Sequence, residues 1–471
     1  MVGVNEGDEV PHMFMIFAII ESKSIVNRTF VTLFIEKSKV KYFIKSEVLC
    51  VNVRLKALTD STKQKFGLDN YYLHRHTFYR KLNIFNETEY TLCMEWFPTH
   101  ITEQEDEDLN PEGTAVININ VNNGMYESVI FVGGKSYASG NTFKDLGKIE
   151  IVKWIENETG LIYEKQFQLI LDEERDYRFQ ECVDGIPVSP SGNIAIKFDE
   201  EGNLTEFYKY GHYPSKEWVT EESYSLSLED MEQLVKAQLK LIEIPAYDQE
   251  VLILAYGLEE IYVTNDRKST IPFELIVNTR YIKIDKIMDW TSLNVQMFER
   301  TEISWIEDVT IEQVFSNEPH PDSIPLSKLE QEKSIHAVIE FLRNVYPNDS
   351  ADWTLKTLHR DTGNIHAILK VHKEENRAFQ RKLLIIIDAQ RFQAINYMDN
   401  ESLLETFHLF KAPDEITINN EEAFEQIRKR ITLEPYYVFN SEQQRYILCG
   451  KIDCNYVVNA SNGEAISLND L

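Results

Sequence analysis

The residues with the clearest capacity for chemistry are histidines. His359, His366 and His372 fall in one segment, and His336 and Glu340 stand at i, i+4 just before it. A His/Glu pair at that spacing on a helix is able to chelate a metal, and imidazole is a common zinc ligand. His366 and His372 also share a strand parity. A metal centre needs three or four donors converging on one point, and parity alone does not supply convergence. Surface or hydrogen-bonded histidines are therefore the expectation, and no catalytic, cofactor-binding or metal-ligating residue is assigned.

Other chemical signatures are missing. No HExxH, GxGxxG or GxSxG occurs. FVGGKS (131–136) is similar to the end of a phosphate loop, but the earlier glycine would fall at position 129, which is Val129. Without that glycine the backbone cannot present the row of amides that cradles phosphate. The acidic run Glu103–Asp108 lacks the alternating spacing and internal glycine of a calcium loop, so it reads as a solvated loop. With 77 Asp and Glu residues in the chain, no particular carboxylate pair stands out as an acid/base couple.

Composition sets the class. The chain has 471 residues, 43% of them hydrophobic, and a formal charge of −29. Its length predicts two or three domains, and its apolar content predicts folding rather than disorder. The charge argues against nucleic acid and anionic membrane surfaces, which both require a basic footprint. The five cysteines are odd in number and contain no CxxC, so buried reduced thiols are expected; Cys449 and Cys454 are the one pair close enough to bridge in an oxidising compartment. The N-terminus has no basic region of a signal peptide, and the apolar run Phe14–Ile20 is too short to span a membrane. A cytoplasmic protein without membrane insertion is the expectation.

These residues sit on a recurring pattern. Residues 1–54 carry seven Lys/Arg against six Asp/Glu and form an N-terminal extension, in which Thr29–Ile35 and Val40–Ile44 could make a hairpin. Residues 55–140 form a partial repeat, a meander in which Tyr90, Leu92, Met94 and Trp96 alternate as sheet core and Asn122-Asn123-Gly124 makes a turn. Residues 141–275 form repeat 1. A helix apolar at Ile151, Val152 and Ile155 leads into strands, the loop VDGIPVSPSG, and the hairpin NIAIKFDEEGNLTEF. The helix SLSLEDMEQLVKAQL, opened by Ser227 and Asp230, and a further hairpin complete it.

Residues 276–330 form a connector that ends in the proline-punctuated NEPHPDSIPLS. Residues 331–471 form repeat 2. Its first helix, Ser334–Tyr346, carries Ile335, Val338, Ile339, Leu342 and Tyr346 on one face and stops at Pro347. The hairpin RKLLIIIDAQRFQAINYM matches that of repeat 1, with Asp388 at the place of Asp199. A helix opened by Asn419 and Glu422 and the pair RYILCGKIDCNYVVNASNGEAISL close the copy. The Gly185–Pro187 loop occurs in one copy only, so its partner is an open question.

VDGIPV, the strand–turn–strand after it, and the closing YVVNASNGEAISL resemble the YcdB/YcdC-type repeat family of Gram-positive bacteria, which is PepSY-like. The resemblance covers about residues 55–275 and 331–471, and KEENRAFQ of the later copy departs from it by lacking the Gly-Ile-Pro loop. It implies non-catalytic domains, in some relatives inhibitors or chaperones of a peptidase.

The expected fold class is α+β: tandem repeated modules, each a helix packed on an antiparallel sheet. The expected function is a non-enzymatic binding or peptidase-inhibitory module that offers sheet edges or concave faces to a protein or peptide partner. The alternative is a hydrolase with a carboxylate/histidine site between repeats, where pockets favour interfaces. No cofactor is assigned.

Overall fold

The computed structural model describes residues 53–101, 109–140, 142–143, 147–220, 222–273, 280–291, 297–304, 307–372 and 376–471. The hairpin expected at 29–44, Cys50 and the acidic run Glu103–Asp108 lie outside the described residues.

Helix α1 (Val53–Lys65) precedes a meander of β1 (Tyr71–Leu82), β2 (Thr88–Pro98), β3 (Ala115–Asn120) and β4 (Tyr126–Phe131). Gly124 takes a positive φ of 73° in the β3–β4 turn, a conformation glycine adopts without steric cost. Helix α2 (Lys148–Thr159) then leads to β5 (Phe167–Glu173), β6 (Asp176–Val183), β7 (Ile186–Ser189), β8 (Asn193–Phe198) and β9 (Leu204–Tyr210). Strand β9 pairs with β4, so the first two meanders share one sheet. Ile151 and Ile155 of α2 pack with Phe167, Phe179, Ile194 and Ile196 beneath it, in the same core as Tyr90 and Trp96.

Helix α3 (Leu228–Gln238) is capped by the Ser227 hydroxyl, which accepts the Asp230 N–H at 3.3 Å. It leads to β10 (Leu239–Ala246), β11 (Val251–Leu258), β12 (Ile261–Thr264) and β13 (Thr270–Pro272). The connector contributes β14 (Ile282–Met288) and α4 (Ile311–Ser316). Helix α5 (Lys328–Val345) starts six residues before the helix read from periodicity, because Ser327 and Glu330 close a capping box that the apolar spacing does not signal. It lays Val338, Phe341 and Leu342 on Leu355, Ile365, Leu369, Leu383 and Ile385. These belong to a five-stranded antiparallel sheet of β14, β15 (Trp353–Asp361), β16 (Asn364–Val371), β17 (Lys382–Asp388) and β18 (Ala394–Asp399).

A single helical turn, α6 (Glu401–Leu404), and α7 (Asn420–Ile427), with a capping box at Asn419 and Glu422, then lead to β19 (Thr432–Asn440), β20 (Arg445–Asp453), β21 (Tyr456–Asn459) and β22 (Ala465–Ser467).

The α+β expectation of tandem modules, each a helix on its own antiparallel sheet, is overturned. The chain is mainly β, and its strands assemble across the supposed modules. A 13-stranded mixed sheet runs β1-β2-β3-β4-β9-β8-β6-β7-β19-β20-β12-β13, with β5 on β6, and joins both halves of the sequence. A second sheet, β10-β11-β21-β22, also draws on both. The long hairpin β10–β11 is extended by the short strands β21–β22, and the long hairpin β19–β20 by β12–β13. The two helix-hairpin units have exchanged their short strands.

Their helices share one core as well: Met231 and Val235 of α3 lie in the same cluster as Phe424 and Ile427 of α7. The physical reason is that the two units have the same alternating pattern. Each long hairpin therefore offers an edge that either short hairpin fits. The exchanged pairing buries both helices in one continuous core instead of two small ones.

Candidate functional site

The loop VDGIPVSPSG is the splice between the two halves of the large sheet. Asp184 and Gly185, at φ 47° and 82°, form a two-residue turn that pairs Ile186 with Val183 and Pro187 with Cys182. Strand β7 then runs parallel to β19, with Val188 beside Tyr437 and Ser189 beside Val438. The corresponding loop of the later meander lacks Gly-Ile-Pro but makes an equivalent contact. Arg377 forms a parallel bridge to Glu243 of β10, where the Glu243 N–H donates to Asn376 O at 2.7 Å and the Ala378 N–H to Glu243 O at 2.9 Å. The downstream segments repeat the relation, Val219 bridging Tyr446 of β20 and Lys411 bridging Val251 of β11. Each meander thus docks on the long hairpin of the other copy.

The kink between β7 and β8 is held by Glu181. This side chain is fully buried, and its carboxylate accepts the Gly192 N–H at 2.7 Å and the Tyr213 N–H at 2.5 Å. Burial pushes its pKa up to about 7, against the opposing pull of the backbone N–H groups of Tyr213, Gly192 and His212. A carboxylate enclosed this way satisfies backbone donors that the kink strands. It has the raised pKa of an acid catalyst without access to a substrate, so its position is structural.

The two docking junctions differ in how they are filled. At the β10 junction Phe379 and Phe407 lie 5.5 Å apart, and Tyr247 and Phe410 stand 5.6 Å from Phe407, leaving about 50 Å³ among residues that include Glu243, Leu252 and Arg377. The β19 junction keeps a solvent-open cleft of about 400 Å³, lined by Val183, Asp184, Lys216, Val219, Glu222, Ser223 and Tyr437. Lys216 Nζ and Asp184 Oδ2 face each other at 3.7 Å on its rim. Glu181 does not line it.

The histidines separate into a convergent group and others. The Thr362-Gly363 turn pairs Asp361 with Asn364 and so places His359 directly across from His366. Both rings are buried, with centroids 5.3 Å apart, and the ring of Tyr281 stacks on His359 at 3.9 Å. Asp361 joins them, its Oδ2 3.6 Å from His366 Nδ1. Beneath the turn, the buried Asp322 accepts the Gly363 N–H at 3.1 Å and sits 3.6 Å from His320 Nδ1. Burial depresses the His359 pKa to about 3, helped by the charges of His366 and Arg280. It also lowers that of His366, against the carboxylates of Asp361 and Asp322.

His372 lies at the other end of β16, its N–H donating to Asp352 O at 2.7 Å, roughly 20 Å along the strand from His366. Glu340 pairs with Arg343 at 2.6 Å on α5, so the His336/Glu340 spacing is occupied by a helix-surface ion pair. Strand parity alone groups His366 with His372 and passes over Asp361. The signal that finds the cluster is the two-residue turn, which fixes the cross-strand register.

FVGGKS is the end of β4 and a tight turn, with Gly133 and Gly134 at φ 72° and 67°. Cys93, Cys182, Cys449 and Cys454 are all free and buried. No helix among the described residues is long and apolar enough to cross a membrane.

No protein-family model and no curated protein matches the chain. Among solved structures, the C-terminal domain of YpeB from Bacillus megaterium is similar at 8% identity, over 73% of this chain and 96% of that one, with a TM-score of 0.22. A likeness that slight carries no argument about the fold.

Proposed function

We propose that the chain is a non-enzymatic module that binds a protein or peptide partner at the β19 junction, through an aromatic side chain seated in the cleft beside Tyr437. The observation carrying this reading is the inequality of two equivalent junctions. The β10 junction is filled by Phe379 and Phe407 of the chain itself, whereas the β19 junction leaves about 400 Å³ open. The filled junction indicates the chemistry the open one accepts. Val183, Val219 and Tyr437 offer apolar surface, and Asp184, Lys216, Glu222 and Ser223 offer hydrogen bonds to a peptide backbone. Polar groups make up most of the exposed lining around this small apolar floor, and convergent polar groups fix the orientation of a bound chain in recognition sites. A relation to YcdB/YcdC-type repeats and a place in the cytoplasm, which the four buried free thiols favour, belong to the same proposal.

Selection of a displayed library of extended peptides against the full chain tests it. Selected peptides should share an aromatic residue, and its change to alanine should weaken binding at least tenfold in fluorescence anisotropy. Ser223→Trp, at an exposed cleft position, should do the same. Peptides that bind Ser223→Trp as well as the parent chain, or a selection that enriches nothing, would overturn the reading.

A further inference from the structure

The five-stranded sheet has a second face. Leu358, Ile365 and Ala367 pack into the core with α5. Strand alternation therefore turns His359, Asp361 and His366 to the opposite side. Register completes the arrangement, since His359 is the cross-strand partner of His366 and Asp361 follows His359 by one full pleat repeat. One nitrogen of each imidazole and one oxygen of Asp361 lie within 4.8 Å of one another. A tetrahedral ion with bonds of about 2 Å spaces its ligands by roughly 3.4 Å, so the donors need to draw together by at most about 1.4 Å to close the set. Asp361, with a side chain 47% exposed, has the freedom to swing in and marks the side from which an ion arrives.

A second observation points the same way. His359 is only 5% exposed, and its buried Nδ1 makes no hydrogen bond. A buried nitrogen without a proton donor or acceptor is unfavourable unless something else occupies its lone pair. Tyr281 stacked on the ring, at an interplanar angle of 19°, fixes the plane in which that lone pair lies. The nearby Arg280 opposes a cation, while Asp322 joins Asp361 in favouring one.

We propose that His359, Asp361 and His366 bind one divalent first-row transition ion, with zinc the best fit and solvent completing the shell. Two imidazoles and one carboxylate suit zinc and its neighbours, whereas calcium and magnesium require oxygen donors throughout. Three protein ligands leave a position open, the arrangement of sites at which a bound water is polarised. This site is separate from the β19 cleft, so either proposal survives the failure of the other.

The test uses the full chain, stripped with a chelator and titrated with Co(II) and then Zn(II). One Co(II) per chain should bind, with the visible absorption bands of a four- or five-coordinate ion, and Zn(II) should displace it. Asp361→Asn, on a half-exposed side chain that leaves the core intact, should weaken binding at least tenfold with an unchanged circular dichroism spectrum. His359→Ala should abolish the bands, and His336→Ala and His372→Ala should leave them unaltered. No saturable binding, or equal affinity in Asp361→Asn and the parent chain, would overturn the proposal. So would loss of the bands in His336→Ala or His372→Ala.

Discussion

Val188 of β7 runs beside Tyr437 of β19 in a parallel pairing that joins the N-terminal meanders to the C-terminal hairpin. Val188 is fully buried and packs with Val183, Phe439, Tyr446 and Leu448. Because this short strand holds together two stretches of sheet built from distant parts of the chain, its packing should matter to the whole. Val188→Ala should cost about 2 kcal/mol in chemical denaturation, from the lost apolar burial and the cavity left behind. Hydrogen exchange should also quicken at Tyr437 and Val438. A variant as stable as the parent would mean that β7 docks without bearing on the fold.

Glu181 gives the clearest pH dependence. Its folded pKa is raised to about 7 by burial, from an ordinary 4.5. Below pH 4.5 the group is protonated in both states, and the favourable difference is fully present. Between pH 4.5 and 7 the unfolded chain releases the proton while the folded chain keeps it. The folded state therefore loses stability as pH rises through this window, by about 3 kcal/mol in total, and nothing more is lost above it. Glu181→Gln removes this titration and places an amide against the Gly192 or Tyr213 N–H, at a cost of about 1–3 kcal/mol. The stability advantage of the parent chain over Glu181→Gln should thus be larger at pH 4.5 than at pH 7.5. A difference that is flat with pH would show that the hydrogen bonds keep Glu181 ionised throughout.

The same kink predicts an intolerant glycine. A Cβ on Gly192 would meet the carbonyl oxygen of Tyr210 and come within 2.5 Å of Gly211 Cα, both backbone atoms that cannot turn aside. Gly192→Ala should destabilise by about 1–3 kcal/mol, the usual cost of overpacking. Gly185→Ala, with open space around its Cβ and only the positive φ against it, should cost less, on the order of 1 kcal/mol. Thermal unfolding of the two variants ranks them, and the reverse order would place the strain in the Asp184–Gly185 turn.

What was legible in the sequence was local. Ser227 and Asn419 read as helix caps because capping chemistry lies within four residues, and the alternation of Tyr90 to Trp96 read as a buried strand because its period does. The exchange of β12–β13 and β21–β22 was not legible. Two copies with one pattern carry no mark of which copy they pair with, and the choice is made by burial across the whole molecule. Glu181 was illegible for another reason. One of the two acids in FQECVDG becomes informative only when the kink brings Gly192 and Tyr213 to it. The His359–His366 pairing is legible, since the turn at Thr362-Gly363 fixes the register across the two strands, whereas parity along one strand groups His366 with His372 instead.

The strand exchange has a measurable signature in energetic coupling. Val235 of α3 and Phe424 of α7 are 189 residues apart in the chain (424 − 235), yet lie in one core, and Lys236 sits 4.8 Å above the Phe424 ring. Separate modules would make Val235→Ala and Phe424→Ala additive to within about 0.5 kcal/mol. A shared core should give an interaction energy of about 0.5–3 kcal/mol in a double-mutant cycle, and additivity would contradict the exchange.

The buried thiols predict low reactivity in the folded chain. Cys449 lies on β20 and Cys454 just past its end, both free and buried, and burial pushes the Cys449 thiol up to about 12 and that of Cys93 equally. A thiol at that pKa is almost wholly protonated at neutral pH and a poor nucleophile. Cys449 packs with Tyr262 and Val438 while Cys454 packs with Val458 and Ile452, so the two side chains belong to different clusters. A disulfide between them would need one side chain to leave its core. Under native conditions neither should react with a thiol reagent such as maleimide, and both should react once denaturant unfolds the chain. An oxidised preparation should likewise contain no 449–454 linkage by mass spectrometry of its peptides. Finding that linkage without loss of stability would favour an oxidising compartment and count against the proposed cytoplasmic setting.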